Sequence, residues 1–289
     1  MAPAQRARAV AIQTDGRIVV AGSAARPDSG RDFAVARLLP DGSLDFTFNL
    51  TGKVTVAFGL PSAGLTEGAW ALALDEQGRI LAAGSASARF AIARLRSNGT
   101  LDGDFDSDGR ATVDFGLGAV GSVAYALTVQ RDGRIVLAGQ ADTSDSGTLN
   151  LDMAAVRMQP DGSLDGSFGF QGKAVIAFDL VANGTDRANT VLQESDGRLL
   201  FGGFASGPAS NTVGAIARTK SNGDLDPSFG ASGRHTYDLG FASGSIAFNS
   251  LSLQGTHPIS CGVVSVGAGN FDVIAVRLQT ELLFANGFD

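Results

Sequence analysis

Residues Phe33 to Phe48 read "FAVARLLPDGSLDFTF". An arginine stands inside an alternating apolar run, and two aspartates follow in a turn-like segment. Nearly the same string returns as "FAIARLRSNGTLDGDF" from Phe90, "MAAVRMQPDGSLDGSF" from Met153 and "GAIARTKSNGDLDPSF" from Gly214. The in-strand arginines Arg37, Arg94, Arg157, Arg218 and Arg277 are spaced by 57, 63, 61 and 59 residues. Such a period identifies a repeat architecture before any single element is assigned.

Two further signatures keep the same period. "TDGRIVVAG" recurs as "EQGRILAAG", "RDGRIVLAG" and "SDGRLLFGG", with a degraded fifth copy, "LQGTHPISCG". "GKVTVAF" is echoed by "GRATVDF", "GKAVIAF" and "GRHTYDL". Each unit reads as four strands: an alternating strand A, an Asp-Gly hairpin turn, a nearly all-apolar strand B with both faces buried, strand C around the arginine, and strand D. No apolar pattern with a helical period of 3.6 occurs. The expected fold is all-β, a five-bladed β-propeller of four-stranded repeats 57–63 residues long, since a ring removes the exposed sheet edges. A β-solenoid is the rival, but its coils run to about 20–30 residues. One domain, 1–289, would hold repeats at about 7–60, 67–117, 122–180, 186–240 and 246–289. The count reaches nineteen clear strands, so the segment "TELLFANGFD", within residues 279–289, is expected to supply the twentieth and fasten the ring.

Composition agrees. The chain has 289 residues, room for one large or two ordinary domains, and is 44% hydrophobic and 18% charged, so it folds. Thirty-nine glycines suit a protein of turns. The net charge of −7 disfavours nucleic acid and anionic membrane surfaces. No run approaches the ~18 apolar residues of a membrane span. The single cysteine, Cys261, forms no internal disulfide and is expected as a small buried hydrophobe.

"DGRIVVAG", "FAVARLLPDGSLDFTF" and "GKVTVAF" resemble the delta-60 repeat, a bacterial β-propeller-like family of unassigned biochemical role. The resemblance covers nearly the whole chain in four good copies and implies a propeller and a bacterial source, with no activity to carry over. The opening "MAPAQRARAVAIQTDG" lacks the apolar core of a secretory leader, which leaves an intracellular protein or a start further upstream. "LLFANGFD" resembles short C-terminal tails of some secreted bacterial proteins. The expected location is extracellular or at the cell surface.

In four units an aspartate follows the arginine by eight residues: Arg37–Asp45, Arg94–Asp102, Arg157–Asp165 and Arg218–Asp226. A guanidinium in an apolar strand needs a partner, and the turn could return the carboxylate for a bidentate pair. The expected role is a structural clasp within each blade; a ring of charge lining the channel is the alternative.

The remaining candidates are private to single units. Asp104, Asp106 and Asp108 in "DGDFDSDGR" have the D-x-D-x-D-G spacing that hard cations such as Ca²⁺ favour. However, Phe115 stands where an EF-hand has its bidentate glutamate, and the plain reading is a solvated acidic turn. Asp114 and Asp238 match in strand D, where two other units have Ala57 and Ala177. Were strand D to line the channel, they could act as an acid–base pair; otherwise they are the polar half of an alternating strand. His235 and His257 have no metal-ligand spacing nearby, and Trp70 is expected in the core. Turns A–B and C–D are nearly constant, whereas connections B–C and D–A vary, so one face is scaffold and the other display. The expected function is a monomeric, non-catalytic module binding a protein or glycan on the display face, with no cofactor beyond a possible Ca²⁺. The alternative is a carbohydrate-active enzyme with carboxylates in the central channel.

Overall fold

The computed structural model describes residues 5–26, 30–60, 67–116, 121–144, 148–208, 211–239, 244–265 and 271–278. Its elements are all strands, arranged as five antiparallel meanders in chain order. Blade 1 holds β1 (Arg6–Ile12), β2 (Ile18–Ala25), β3 (Arg31–Leu38) and β4 (Lys53–Val56). Blade 2 holds β5 (Gly68–Leu74), β6 (Ile80–Ala86), β7 (Arg89–Leu95) and β8 (Arg110–Val113). Blade 3 holds β9 (Ser122–Val129), β10 (Ile135–Asp142), β11 (Leu151–Met158) and β12 (Lys173–Ile176). Blade 4 holds β13 (Arg187–Gln193), β14 (Leu199–Ser206), β15 (Thr212–Thr219) and β16 (Arg234–Tyr237). Blade 5 has three described strands, β17 (Ser245–Gln254), β18 (His257–Ser265) and β19 (Phe271–Arg277).

The apolar cores lie between blades rather than within them, which is why strands B and C are apolar on both faces. Val19, Ala21, Phe33 and Val35 of blade 1 meet Ile80, Ala82, Ala91 and Ala93 of blade 2. Leu81, Ala83, Phe90 and Ile92 then meet Ile135, Leu137, Ala154 and Val156. The pattern repeats from blade 3 to blade 4 and from blade 4 to blade 5. One side chain of each strand pair therefore points forward and the next points back.

First strands approach one another at each of these junctions, β1 to β5, β5 to β9, β9 to β13 and β13 to β17. They form the inner wall, and the fourth strands lie at the rim. Between blades 5 and 1 no comparable approach occurs among the described residues. Val10 and Ile12 on the free face of blade 1 are 64% and 70% exposed, and Phe271 and Val273 on blade 5 are 70% and 85% exposed. Cys261, expected to be buried, is half-buried in β18. The expected closing strand falls in residues 279–289, outside the described residues.

The arginine of strand C explains the quoted repeat. Its Nε donates to the returning aspartate at 2.8 Å in Arg37–Asp45, 2.8 Å in Arg94–Asp102, 2.6 Å in Arg157–Asp165 and 2.9 Å in Arg218–Asp226. Every one of these eight residues is buried. The "DGR" arginine of the preceding hairpin reaches the same carboxylate: Arg17 to Asp45 at 3.0 Å, Arg79 to Asp102 at 3.5 Å, Arg134 to Asp165 at 3.4 Å and Arg198 to Asp226 at 3.1 Å. Behind each guanidinium lies the phenylalanine that ends the repeat string, Phe48, Phe105, Phe168 or Phe229, with its ring centre 4.7–4.8 Å from Cζ.

The four carboxyls are held below the usual carboxylate range. For Asp45 the Thr47 hydroxyl has the largest influence. For Asp102, Asp165 and Asp226 burial acts most strongly and upward, but hydrogen bonds and guanidinium charges together outweigh it. Asp226 comes to about 2.

The clasp also crosses between blades. Arg37 donates to the Ser97 carbonyl, Arg94 to that of Pro160 and Arg157 to that of Ser221, each in the C–D turn of the next blade. Beside them, the amides of Asn49, Asp106 and Gly169 donate at 2.7 Å to the carbonyls of Asn98, Asp161 and Asn222. At the rim Arg110 donates to the Ala57 carbonyl at 2.5 Å and Lys173 to that of Asp114 at 2.6 Å, which gives the cation of "GR" in blade 2 and of "GK" in blade 3 a cross-blade role. Among the described residues Arg218 bonds to Asp226 and Ser228 of its own blade; the C–D turn of blade 5 lies outside them. Removing one partner of a buried pair costs about 3–5 kcal/mol. Arg157→Met should therefore lower the melting temperature sharply in calorimetry; a value near wild type would deny the clasp a structural role.

Candidate functional site

The inner wall carries one irregularity in every blade. The pairing of strands A and B shifts register between Ala7 and Ala9, Ala69 and Ala71, Ala124 and Ala126, Ala188 and Thr190, and Phe248 and Ser250. A glycine of strand B faces each bulge: Gly22, Gly84, Gly139, Gly203 or Gly262. A Cβ there would lie 1.8–2.0 Å from a carbonyl oxygen of the first strand, so the bulge demands glycine. The extra residue of each bulge is Arg8, Trp70, Tyr125, Asn189 and Asn249 in turn.

Together with Arg187, these five side chains form a run of contacts along the inner wall. The Arg8 guanidinium lies 3.2 Å from the Trp70 ring centre. Trp70 and Tyr125 meet edge to face at 5.1 Å. Arg187 covers Tyr125 at 4.6 Å, and its Nε donates to the Asn189 side-chain oxygen at 2.8 Å. Asn189 Nδ2 in turn donates to Asn249 Oδ1 at 3.2 Å and to the Phe248 carbonyl at 2.9 Å. The bulges lie on the half of the wall away from the A–B turns, toward the variable connections. Arg6, Arg8, Arg31, Ser23, Glu67 and Trp70 border a cleft of about 170 Å³ there, between blades 1 and 2. Trp70 is half-buried at this cleft and not in a core, contrary to expectation.

Other sequence candidates take structural positions. Asp104 stands where Thr47, Ser167 and Ser228 bond the clasp aspartate in other blades; in blade 2 Arg96 bonds Asp102 instead, at 3.1 Å, and also faces Asp104 at 3.6 Å. Asp106 has φ 46°, the left-handed conformation that Asn49, Gly169 and Gly230 adopt at the same point, and aspartate tolerates it. Asp108 binds the Arg110 guanidinium at 2.7 Å. No group of three acids, histidines or cysteines able to hold a metal occurs among the described residues. Millimolar Ca²⁺ should leave the melting temperature unchanged in a thermal-shift titration, and a rise of several degrees would establish the site.

Asp114 and Asp238 follow β8 and β16, the rim strands of blades 2 and 4, so the channel pairing loses its premise. Asp114 pairs instead with Arg89 at 3.1 Å. His235 stacks on Tyr237 at 4.5 Å, and His257 opens β18.

Buried carboxylates that no motif announced stand at two blade junctions. Glu67 accepts the Phe58 amide at 3.3 Å, beside Asp32; Asp186 accepts the Phe178 amide at 2.7 Å, beside Asp152. Burial pushes Glu67 up. It also pushes Asp186 up, to about 6, with the Asp152 charge adding to it. Arg26 pairs with Asp32 at 3.1 Å at the first junction. Because the folded state holds the Asp186 proton more tightly than the unfolded chain does, stability contributed by this group grows as pH falls from 7 through 6 toward 4. Asp186→Asn should therefore raise the melting temperature at pH 8, by up to ~3 kcal/mol in stability, and have little effect at pH 4.5. A pH-independent difference in calorimetry would reject this account.

Residues 13–48, 78–105, 130–168 and 194–229 match the family described as "Domain of unknown function (DUF5122) beta-propeller". Each match spans a hairpin arginine, strand B, strand C and the clasp turn, or most of these. The chain is a β-propeller of tandem repeats.

None of the curated proteins compared with it matches this propeller. Among solved structures it is similar to the GH43 endo-arabinanase from Bacillus licheniformis, at 13% identity over 94% of this chain and 92% of that one, with a TM-score of 0.44. It is also similar to Drosophila Plexin A in complex with Semaphorin 1b, at 11% identity over 96% of this chain and 55% of that one, with a TM-score of 0.47. The α-L-arabinanase of Cellvibrio cellulosa complexed with arabinohexaose gives 11% identity, 96% and 93% coverage and a TM-score of 0.42. The propeller spans about half the length of the plexin chain. Its fold assignment rests on the five sheets and the family match.

Proposed function

We propose that this propeller is a non-catalytic binding module of a bacterial extracellular or cell-surface protein, built of delta-60 repeats, and that its ligand is a glycan held at the display end of the channel. The observation that carries this reading is the series Arg8, Trp70, Tyr125, Asn189 and Asn249. A structural duty shared by five blades calls for one residue type in each, as the Arg–Asp clasp uses. Four different side chains over five copies of one backbone position share no such duty. Two neighbouring aromatic rings with guanidinium groups laid against them give the wall mixed apolar and polar surface suited to sugars, and the amides and guanidinium groups suit hydroxyls.

None of those five positions carries a carboxylate, and Asp114 and Asp238 stand at the rim, which supports binding over glycoside hydrolysis. Purified protein screened on an oligosaccharide array should retain a defined glycan class. In titration calorimetry Trp70→Ala and Tyr125→Ala should each weaken that binding about tenfold to a hundredfold, with melting temperatures near wild type and Trp70→Phe largely retained. Binding indifferent to both truncations would overturn the reading, as would capture of a protein and of no glycan. Release of reducing ends from the bound oligosaccharide would transfer the assignment to the enzyme reading.

A further inference from the structure

The cleft between blades 1 and 2 has an electrostatic character unlike that of the chain around it. The protein carries a net charge of −7, yet Arg6, Arg8 and Arg31 all border this one space. Arg6 and Arg8 come from β1, where the bulge at Arg8 interrupts the normal alternation of sides. Arg31 opens β3, and its Nε donates to Ser23 Oγ at 3.1 Å. Among the described residues bordering the cleft the carboxylate is Glu67, which is buried and already accepts the Phe58 amide. Burial lowers the affinity of Arg8 for its proton, and the charges of Arg6 and Arg31 lower it further. Like charges held this close repel, and an anion among them relieves the repulsion.

The cleft has a flat wall as well as a charge. The Trp70 ring forms it, and the Arg8 guanidinium lies against that ring at 3.2 Å, which sets the orientation of its donor fork. At about 170 Å³ the space is smaller than the ~300–1,000 Å³ of pockets for drug-sized ligands, so it suits one unit of a longer chain. The open channel wall beyond it, with Tyr125 next in line, gives that chain somewhere to continue.

We infer that the blade 1–2 cleft is a subsite for an acidic sugar, a uronate, whose carboxylate is received by Arg6, Arg8 and Arg31 and whose ring lies beside the Arg8–Trp70 stack. Planar guanidinium groups match a carboxylate in two-bond pairs, which a neutral sugar cannot offer. This inference rests on the glycan-binding reading and narrows it.

Titration calorimetry with oligogalacturonate, its methyl ester and a neutral cello-oligosaccharide of equal length separates the two. Oligogalacturonate should bind at least tenfold more tightly than its ester, and raising NaCl should erode that margin. The Arg6→Gln/Arg31→Gln double variant should lose the same margin while its melting temperature holds; the Arg6→Gln single variant tests the point if the double variant unfolds. Equal binding of acid, ester and neutral oligosaccharide, unaffected by the arginine changes, would overturn the acidic subsite and leave the glycan module standing. Absence of binding to any sugar would overturn both. Inorganic phosphate or sulfate bound as tightly as oligogalacturonate would overturn the uronate assignment in favour of a general anion cleft.

Discussion

A guanidinium in the middle of an apolar sheet must be met by partners on every side, because an unanswered buried charge would unfold the blade. The remainder of the repeat supplies those partners. The C–D turn brings back a carboxylate, the hairpin "DGR" adds a second guanidinium to that carboxylate, and a phenylalanine ring closes the exposed flank. What remains of the arginine's donor capacity reaches a carbonyl of the following blade. One side chain thus ties a strand, two turns and a neighbour together. The three sequence signatures, which look independent, are parts of a single constellation with a rim cation added.

Between blades the same economy holds for apolar contacts. Alanines on strands B and C let neighbouring sheets come close, and bulkier Leu, Ile and Phe side chains fill the space left between them. A sheet of this kind has no core of its own. Function is confined to the places where the repeat stops imposing a residue type, chiefly the bulge on the inner strand, where glycine is fixed on one side and its partner is free to vary.

Much of this was legible in the residues alone, and what was hidden has a physical reason. Period, strand count and the Arg37–Asp45 spacing are statements about side chains, and side chains are what a sequence records. The acceptors at Ser97, Pro160 and Ser221 are backbone carbonyls, which every residue has, so no letter marks them. Trp70 reads as core because simple alternation places it on a buried face; the bulge turns it out, and a bulge is a property of register. Asp106 reads as a cation ligand, yet its acid follows from a left-handed backbone shared with Asn49 and two glycines. Asp114 and Asp238 match in sequence, but which strand is innermost is settled only when the sheets are assembled.

Among the described residues, blades 2, 3 and 4 each pack against a neighbour on both sides. Such an array behaves as a series of coupled neighbours. A local opening in one blade loosens those beside it, so resistance to unfolding is shared along the series and owned by no single sheet. The stacked Arg8–Trp70 pair straddles the first junction, where a chain-like ligand laid across it would act as a splint.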